Sequence, residues 1–168
     1  MALIYPESRT ALAGWSAMEK IWGPIDFLSE GRAFDFTHYY EKEMGRSLTR
    51  RWAAFKNLVP QQDLPEIKWQ ALELEKQWCT ERGRRLNIDP GFITAERLVL
   101  STGKNYSHRI YLARGIFADL TLLFHNGSYQ PLPWTYPDYR DEASLRMFNK
   151  IREKYFRDVA DCGMQTAE

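Results

Sequence analysis

The stretch that most restricts the fold of this chain is His108 to Trp134, because it carries its own turning points. Asn126-Gly127 sits between alternating apolar residues, and both central residues of a type I′ turn need positive φ, which Asn and Gly adopt at least cost. Ala113-Arg114-Gly115 predicts a second corner, a three-residue loop with the glycine in the left-handed position. Two close corners force an antiparallel meander, and its register follows by counting. The first corner sets Leu112 opposite Ile116, and therefore Tyr111 opposite Phe117, Ile110 opposite Ala118, Arg109 opposite Asp119 and His108 opposite Leu120. The second sets His125 opposite Ser128, and therefore Leu123 opposite Gln130, Thr121 opposite Leu132 and Asp119 opposite Trp134.

Strict alternation then divides the meander into two faces. Ile110, Leu112, Ile116, Ala118, Leu120, Leu122 and Phe124 make a core face with His108 at its margin. Arg109, Tyr111, Phe117, Asp119, Thr121, Gln130 and Trp134 make a polar and aromatic face. An opposed Arg109 and Asp119 can be a cross-strand pair that stabilises the sheet by roughly 0.2 to 1 kcal/mol. Equally, a half-apolar, half-charged face with Lys104 on the loop leading into it has the make-up of a small-ligand pocket.

Elsewhere the pattern alternates helix with strand. Leu3 to Tyr5 predicts a strand, and Leu12, Trp15, Met18 and Trp22 lie on one helical face that Gly23-Pro24 terminates. Ile25 to Leu28 and Phe34 to Phe36 read as extended, while Arg51 to Val59 fits strand and helix alike. Leu64, Ile67, Ala71, Leu74 and Trp78 predict an amphipathic helix over about 63 to 82, with Asp63 as N-cap, Pro65 in its first turn and Gly83 past its end. Arg85 to Ile88 and Leu98 to Ser101 read as strands, separated by an Asp89-Pro90-Gly91 turn. A last helix is predicted over Tyr139 to Asp161 from Leu145, Phe148, Ile151, Tyr155 and Val159. The sum is an α+β fold, a single domain over 1–168 with an antiparallel or mixed sheet and about three helices. Its order suits a ferredoxin-like split βαβ core extended by the meander and a capping helix.

Composition removes several function classes. With 23 Lys plus Arg against 22 Asp plus Glu, no long-range field draws the chain to nucleic acid or an anionic membrane. No apolar run approaches the roughly 20 residues of a membrane helix, and residues 1 to 15 lack the basic-then-apolar pattern of an export signal. Cys79 and Cys162 are isolated, which suggests neither disulfides nor a thiolate metal site and points to the cytoplasm.

Five stretches, FDFTHYYEKEMG (34–45), NIDPGF (87–92), STGKNYSHRIYL (101–112), GIFADLTLLF (115–124) and LPWTYPDY (132–139), together resemble a prokaryotic family catalogued as domain of unknown function 4416. The resemblance extends from about Leu3 into the last helix and implies a fold and almost no function. Some members are described as GTP-binding, but Gly103-Lys104 lacks the GxxxxGK[ST] pattern, so there is no Walker A motif. His38 stands where the family tends to carry an acid.

The acids of the first stretch, Asp35, Glu41 and Glu43, are candidates for a metal or for acid–base work, or simply a solvated edge with Tyr39 and Tyr40 beside it. His38, His108 and His125 show no ligand spacing. GxSxG and GxGxxG are absent, which leaves reaction type and cofactor open. The densest set of anion-capable groups is Lys104, His108 and Arg109. Arg can grip a phosphate or carboxylate bidentately, Lys acts as a point charge, and His moves protons near neutral pH. The expected site is therefore anion-binding, with Lys104, Arg109, Tyr111, Asp119 and Trp134 holding the ligand, a phosphorylated metabolite or nucleotide, and His108 catalytic if there is chemistry. Two alternatives stay open. Tyr111, Phe117 and Trp134 could serve an RNA- or protein-binding module, and burial of Tyr111 and Trp134 would instead mark a structural subunit with no site.

Overall fold

A computed structural model describes residues 1–163 and divides into two compact units, one of Met1–Asn57 with Glu66–Pro90, the other of Leu58–Pro65 with the chain from Gly91 on. Together the described residues contain three antiparallel sheets and five helices, an α+β architecture.

The first unit runs β1 (Ala2–Tyr5), α1 (Ser8–Trp22), β2 (Ile25–Leu28), β3 (Arg32–Phe34), α2 (Glu41–Met44), β4 (Leu48–Phe55), α3 (Leu64–Lys76), β5 (Cys79–Thr80), β6 (Gly83–Arg84) and β7 (Asn87–Asp89). Its main sheet has the order β2-β4-β1-β7, antiparallel throughout, with β3 also on β4. Setting β3 aside, this is the split βαβ arrangement read from the sequence. The ambiguous segment after Arg50 is strand because β1 and β2 pair with it on its two sides, and pairing overrides a weak local preference. Every residue of β1 is buried. Leu3 and Tyr5 pack with Trp15 and Met18 of α1 and Ala71 and Leu74 of α3. Ile4 points to the opposite face, against Phe34, Met44 and Leu48.

The predicted helix over 63 to 82 ends early, at Lys76, and Cys79 to Arg84 form a small hairpin instead. Thr80 explains the stop: its hydroxyl donates to Gly83 O and accepts from Arg82 N, offering the backbone a turn in place of the helical ladder. Gly83, at φ 120°, closes that turn.

β7 is an edge strand, and side chains from α3 occupy its edge. Ile88 N donates to Glu75 Oε1 at 2.6 Å, and Lys68 Nζ donates to Ile88 O at 2.9 Å. Two helical side chains seven residues apart thus stand in for a further strand beside β7 and occupy its open edge. Asp89, beside them, receives Asn87 Nδ2 at 2.8 Å, Arg50 at 3.4 Å and Lys68 at 3.6 Å. Arg84 ties Asn87 to Glu75 and Glu43. Burial alone pushes the Asp89 carboxyl up, but the Lys68 and Arg50 charges and the hydrogen bonds from Arg50 and Asn87 outweigh it and hold it below its ordinary 3.8. For Glu75 burial wins over Lys68, the Ile88 N–H and Arg84, and its carboxyl is raised.

The second unit holds β8 (Gly91–Ile93), β9 (Arg97–Thr102), β10 (Arg109–Ala113), β11 (Ile116–His125), β12 (Ser128–Pro131), α4 (Pro137–Arg140) and α5 (Glu142–Asp161). β9 flanks β11 on one side, and β10 and then β12 flank it on the other. Asn126 and Gly127 both have positive φ, and His125 faces Ser128 as counted. Arg109 faces Asp119, Ile110 faces Ala118 and Tyr111 faces Phe117, again as counted. Three details differ. The first corner is a two-residue turn, Arg114 and Gly115 both at positive φ, with Ala113 opposite Ile116 and the spare residue absorbed as a register shift at Leu112. β12 ends at Pro131, so Leu132 and Trp134 do not continue the ladder.

The third difference concerns the faces. Asp119 pairs with Leu100, Leu120 with Val99 and Leu122 with Leu98, so three β11 steps meet two on β9. A bulge of this kind reverses the alternation, and Leu122 joins the face of Asp119. Leu122 and Phe124 therefore lie with Arg109 and not opposite it, while Ile110, assigned to the core by simple counting, is 68% exposed. The last helix begins at Glu142, where Asp141 caps it by accepting Ser144 N, and α4 forms a separate turn before it. Asn149 and Arg152 fasten α5 to the sheet, by a bond from Tyr129 N and by stacking of the guanidinium on Phe124.

Replacing Asp89 by Asn should leave Lys68 and Arg50 buried without their counter-charge, a loss on the order of 3 kcal/mol at neutral pH. Because the folded-state pKa is depressed, the Asp89 contribution is complete above the ordinary 3.8 and is lost as pH falls through the folded value. Urea unfolding of wild type and Asp89→Asn should show a constant deficit from pH 7 to about 5 that closes at strongly acid pH.

Candidate functional site

Asp119 enters the site because β11 must alternate, and it arrives there 4% exposed. A carboxylate so deeply placed needs partners. Arg109, its cross-strand neighbour, supplies Nε at 2.8 Å, and His108 Nε2 lies 3.4 Å from the same Oδ2. His108 was expected at the margin of the opposite, apolar face. It precedes the first residue of β10, where the pleat no longer dictates direction, and it turns back to the acid.

Arg109 reaches well beyond its cross-strand partner. Its NH1 donates to Lys104 O at 2.9 Å, its NH2 to Tyr136 Oη at 2.9 Å, and its backbone N to Tyr106 O at 3.0 Å. One guanidinium thus clips the 103–108 loop and the 132–136 segment onto the sheet. Three of its five N–H donors are used, leaving one on each terminal nitrogen. Lys104 is fixed by its backbone, Lys104 N donating to Thr102 Oγ1, and its side chain is solvent-facing.

Around this node stand aromatic rings. Trp134 lies flat on His108, centroids 4.8 Å apart at 13°, and its indole Nε1 donates to Leu120 O. Tyr106 meets His108 edge-on at 5.4 Å. Tyr111 and Phe117 form a separate edge-to-face pair on the neighbouring cross-strand position. Tyr111 and Trp134 are exposed, which removes the observation that would have marked a structural subunit.

The structure therefore brings together Lys104, His108, Arg109, Asp119 and Trp134, with Tyr111 two residues further along β10. Sequence reasoning missed Tyr106 and Tyr136, whose places depend on a loop and a segment outside the ladder. Tyr136 lies within LPWTYPDY, and its position beyond the last paired strand was the only signal available.

The acids of the other unit are dispersed. Asp35 and Glu41 line a depression of about 240 Å³ with Thr37, His38 and Arg46. Glu41 is bound to His38 Nδ1 at 2.6 Å, which with Arg46 keeps its carboxyl low. Glu43 instead binds Arg84. Among the described residues no group of three or more His, Cys, Asp or Glu could hold a metal ion, and no helix is long and apolar enough to cross a membrane.

The model of one family, domain of unknown function (DUF4416), matches residues 1–155, both units included. The chain belongs to this family. No curated protein and no solved structure matches it. Within DUF4416 the stretches that suggested membership supply the node itself: STGKNYSHRIYL carries Lys104 through Tyr111, GIFADLTLLF carries Asp119, and LPWTYPDY carries Trp134 and Tyr136.

Truncating Arg109 to Ala should cost roughly 3 to 5 kcal/mol, because it strands a buried carboxylate and releases two segments together. The double variant Arg109→Ala/Asp119→Ala should be less destabilised than the sum of the singles by at least about 1 kcal/mol. Chemical denaturation of the four proteins measures both quantities.

Proposed function

We propose that this chain binds a small anionic molecule, a phosphorylated metabolite or a nucleotide, on the polar face of the 108–134 meander. One observation carries the reading: Arg109 is held rigid by Asp119, Lys104 O and Tyr136 Oη, yet keeps an N–H on each terminal nitrogen. A guanidinium already ordered by the fold loses little freedom on meeting an oxyanion, which favours recognition over a floppy surface arginine. Asp119 balances the Arg109 charge, and Lys104 on the adjoining loop adds a further cation to meet the anion. If the bound ligand reacts, His108 is the group to carry a proton. Nε2 faces Asp119, and Nδ1 is left for the ligand. The free, exposed Cys79 and Cys162 fit a reducing compartment, and we assign the protein to the cytoplasm on that ground.

A second reading has its own support. Trp134 and Tyr111 are both exposed, as the aromatic residues of an RNA- or protein-binding surface would be.

The decisive variant is Lys104→Ala, because loss of Arg109 unclips two segments and confounds binding with folding. Nucleotides, sugar phosphates and small carboxylates, each with and without Mg²⁺, should include a ligand that raises the melting temperature by about 5 °C or more at hundredfold excess over its Kd. Lys104→Ala should show a clearly smaller ligand-induced rise than wild type, each protein being read against its own melting temperature without ligand. A screen in which no compound shifts the wild-type protein overturns the reading.

A further inference from the structure

Resting on that anion-binding reading, we infer that the ligand carries a flat unsaturated ring beside its anionic group, and that Trp134, Tyr136 and Tyr106 form the wall that receives it. Three aromatic side chains that remain 38%, 47% and 66% exposed in turn surround the His108–Arg109 node. Solvent-facing tyrosines and tryptophans taken singly need no explanation. These three differ because each is anchored to one node. Trp134 lies on His108 and is fixed by its bond to Leu120 O, Tyr136 Oη holds Arg109 NH2, and the backbone of Tyr106 holds Arg109 N while its ring touches His108.

Trp134 Nε1 and Tyr136 Oη are thus satisfied inside the protein, so these two groups offer ring surface outward, and Tyr106, held through its backbone, adds its ring beside them. Ordered rings provide stacking area with little entropy left to lose, the property that aromatic side chains lend to recognition surfaces. The remaining Arg109 N–H groups and the Lys104 loop belong to the same node, so ring and anion would be gripped together. The ring is read through its face alone, since nothing in the wall offers a pattern of donors and acceptors that would name one base or heterocycle. The inference therefore stops at the class of ring-bearing anion.

Isothermal titration calorimetry with adenosine monophosphate and ribose 5-phosphate tests this, because the two probes share sugar and phosphate and differ by the ring. On wild type the ring-bearing probe should bind at least about tenfold tighter, the value of one good stacking contact. Trp134→Leu and Tyr106→Leu should each lose most of that preference while the ribose phosphate affinity changes by less than about twofold. Tyr106 is the safer of the two, its ring being mostly in solvent. Tyr136→Phe, which keeps the ring but not the bond to Arg109, should keep the preference. Equal affinity for the two probes overturns the ring inference and leaves the anion reading standing. Failure of both to bind, with inorganic phosphate also silent, overturns the anion reading itself. A single-stranded hexanucleotide bound more than about a hundredfold tighter than the mononucleotide would replace the small-ligand site by a strand-binding surface.

Discussion

A carboxylate drawn in against a sheet must be neutralised where it stands, and each unit of this chain is organised around one, half-buried in the case of Asp89 and buried in that of Asp119. In the first, Asp89 gathers Arg50, Lys68 and Asn87, and Lys68 together with Glu75 closes the edge of β7 and joins α3 to it. In the second, Asp119 gathers Arg109 and His108, and Arg109 in turn fastens a loop and a segment that the strand ladder does not reach. Apolar packing alone would leave both places loose, since it is non-directional. The ionic groups supply direction.

The two networks differ in what they leave over. Around Asp89 and Glu75 three cations meet three acids, with Arg84 divided among Glu43, Glu75 and Asn87, and side chains complete an otherwise open edge. That is a network turned inward. Around Asp119 one acid orients two cationic or potentially cationic side chains, donor capacity remains on Arg109, and the surrounding rings are in solvent. An arrangement that is rigid at its base and unfinished at its surface is what a recognition site needs. For this reason the functional reading rests on the second unit.

Much of this was legible because turns and periods are local. The Ala113-Arg114-Gly115 corner and the count back from it place Arg109 against Asp119 without any tertiary information, and the pairing is correct even though that corner is a two-residue turn and not three. The miscounted residue was absorbed at Leu112, close to the corner, so the error did not propagate to the site. The helices of the split βαβ core were visible in their apolar spacing, except where Thr80 and Gly83 ended one of them early.

The sequence by itself determined the apolar faces of α1, α3 and α5, the antiparallel meander and the opposition of Arg109 to Asp119, because each follows from φ preferences and from periods of 2 and 3.6 residues. Only the tertiary structure decided that a bulge at Thr121 moves Leu122 and Phe124 to the face of Asp119, and that β4 is a strand between two others. It alone brought Tyr106, Trp134 and Tyr136 to the His108–Arg109 pair. Those outcomes depend on contacts between residues far apart in the chain, whose energies outweigh local preference and leave no mark in the spacing of the residues that make them.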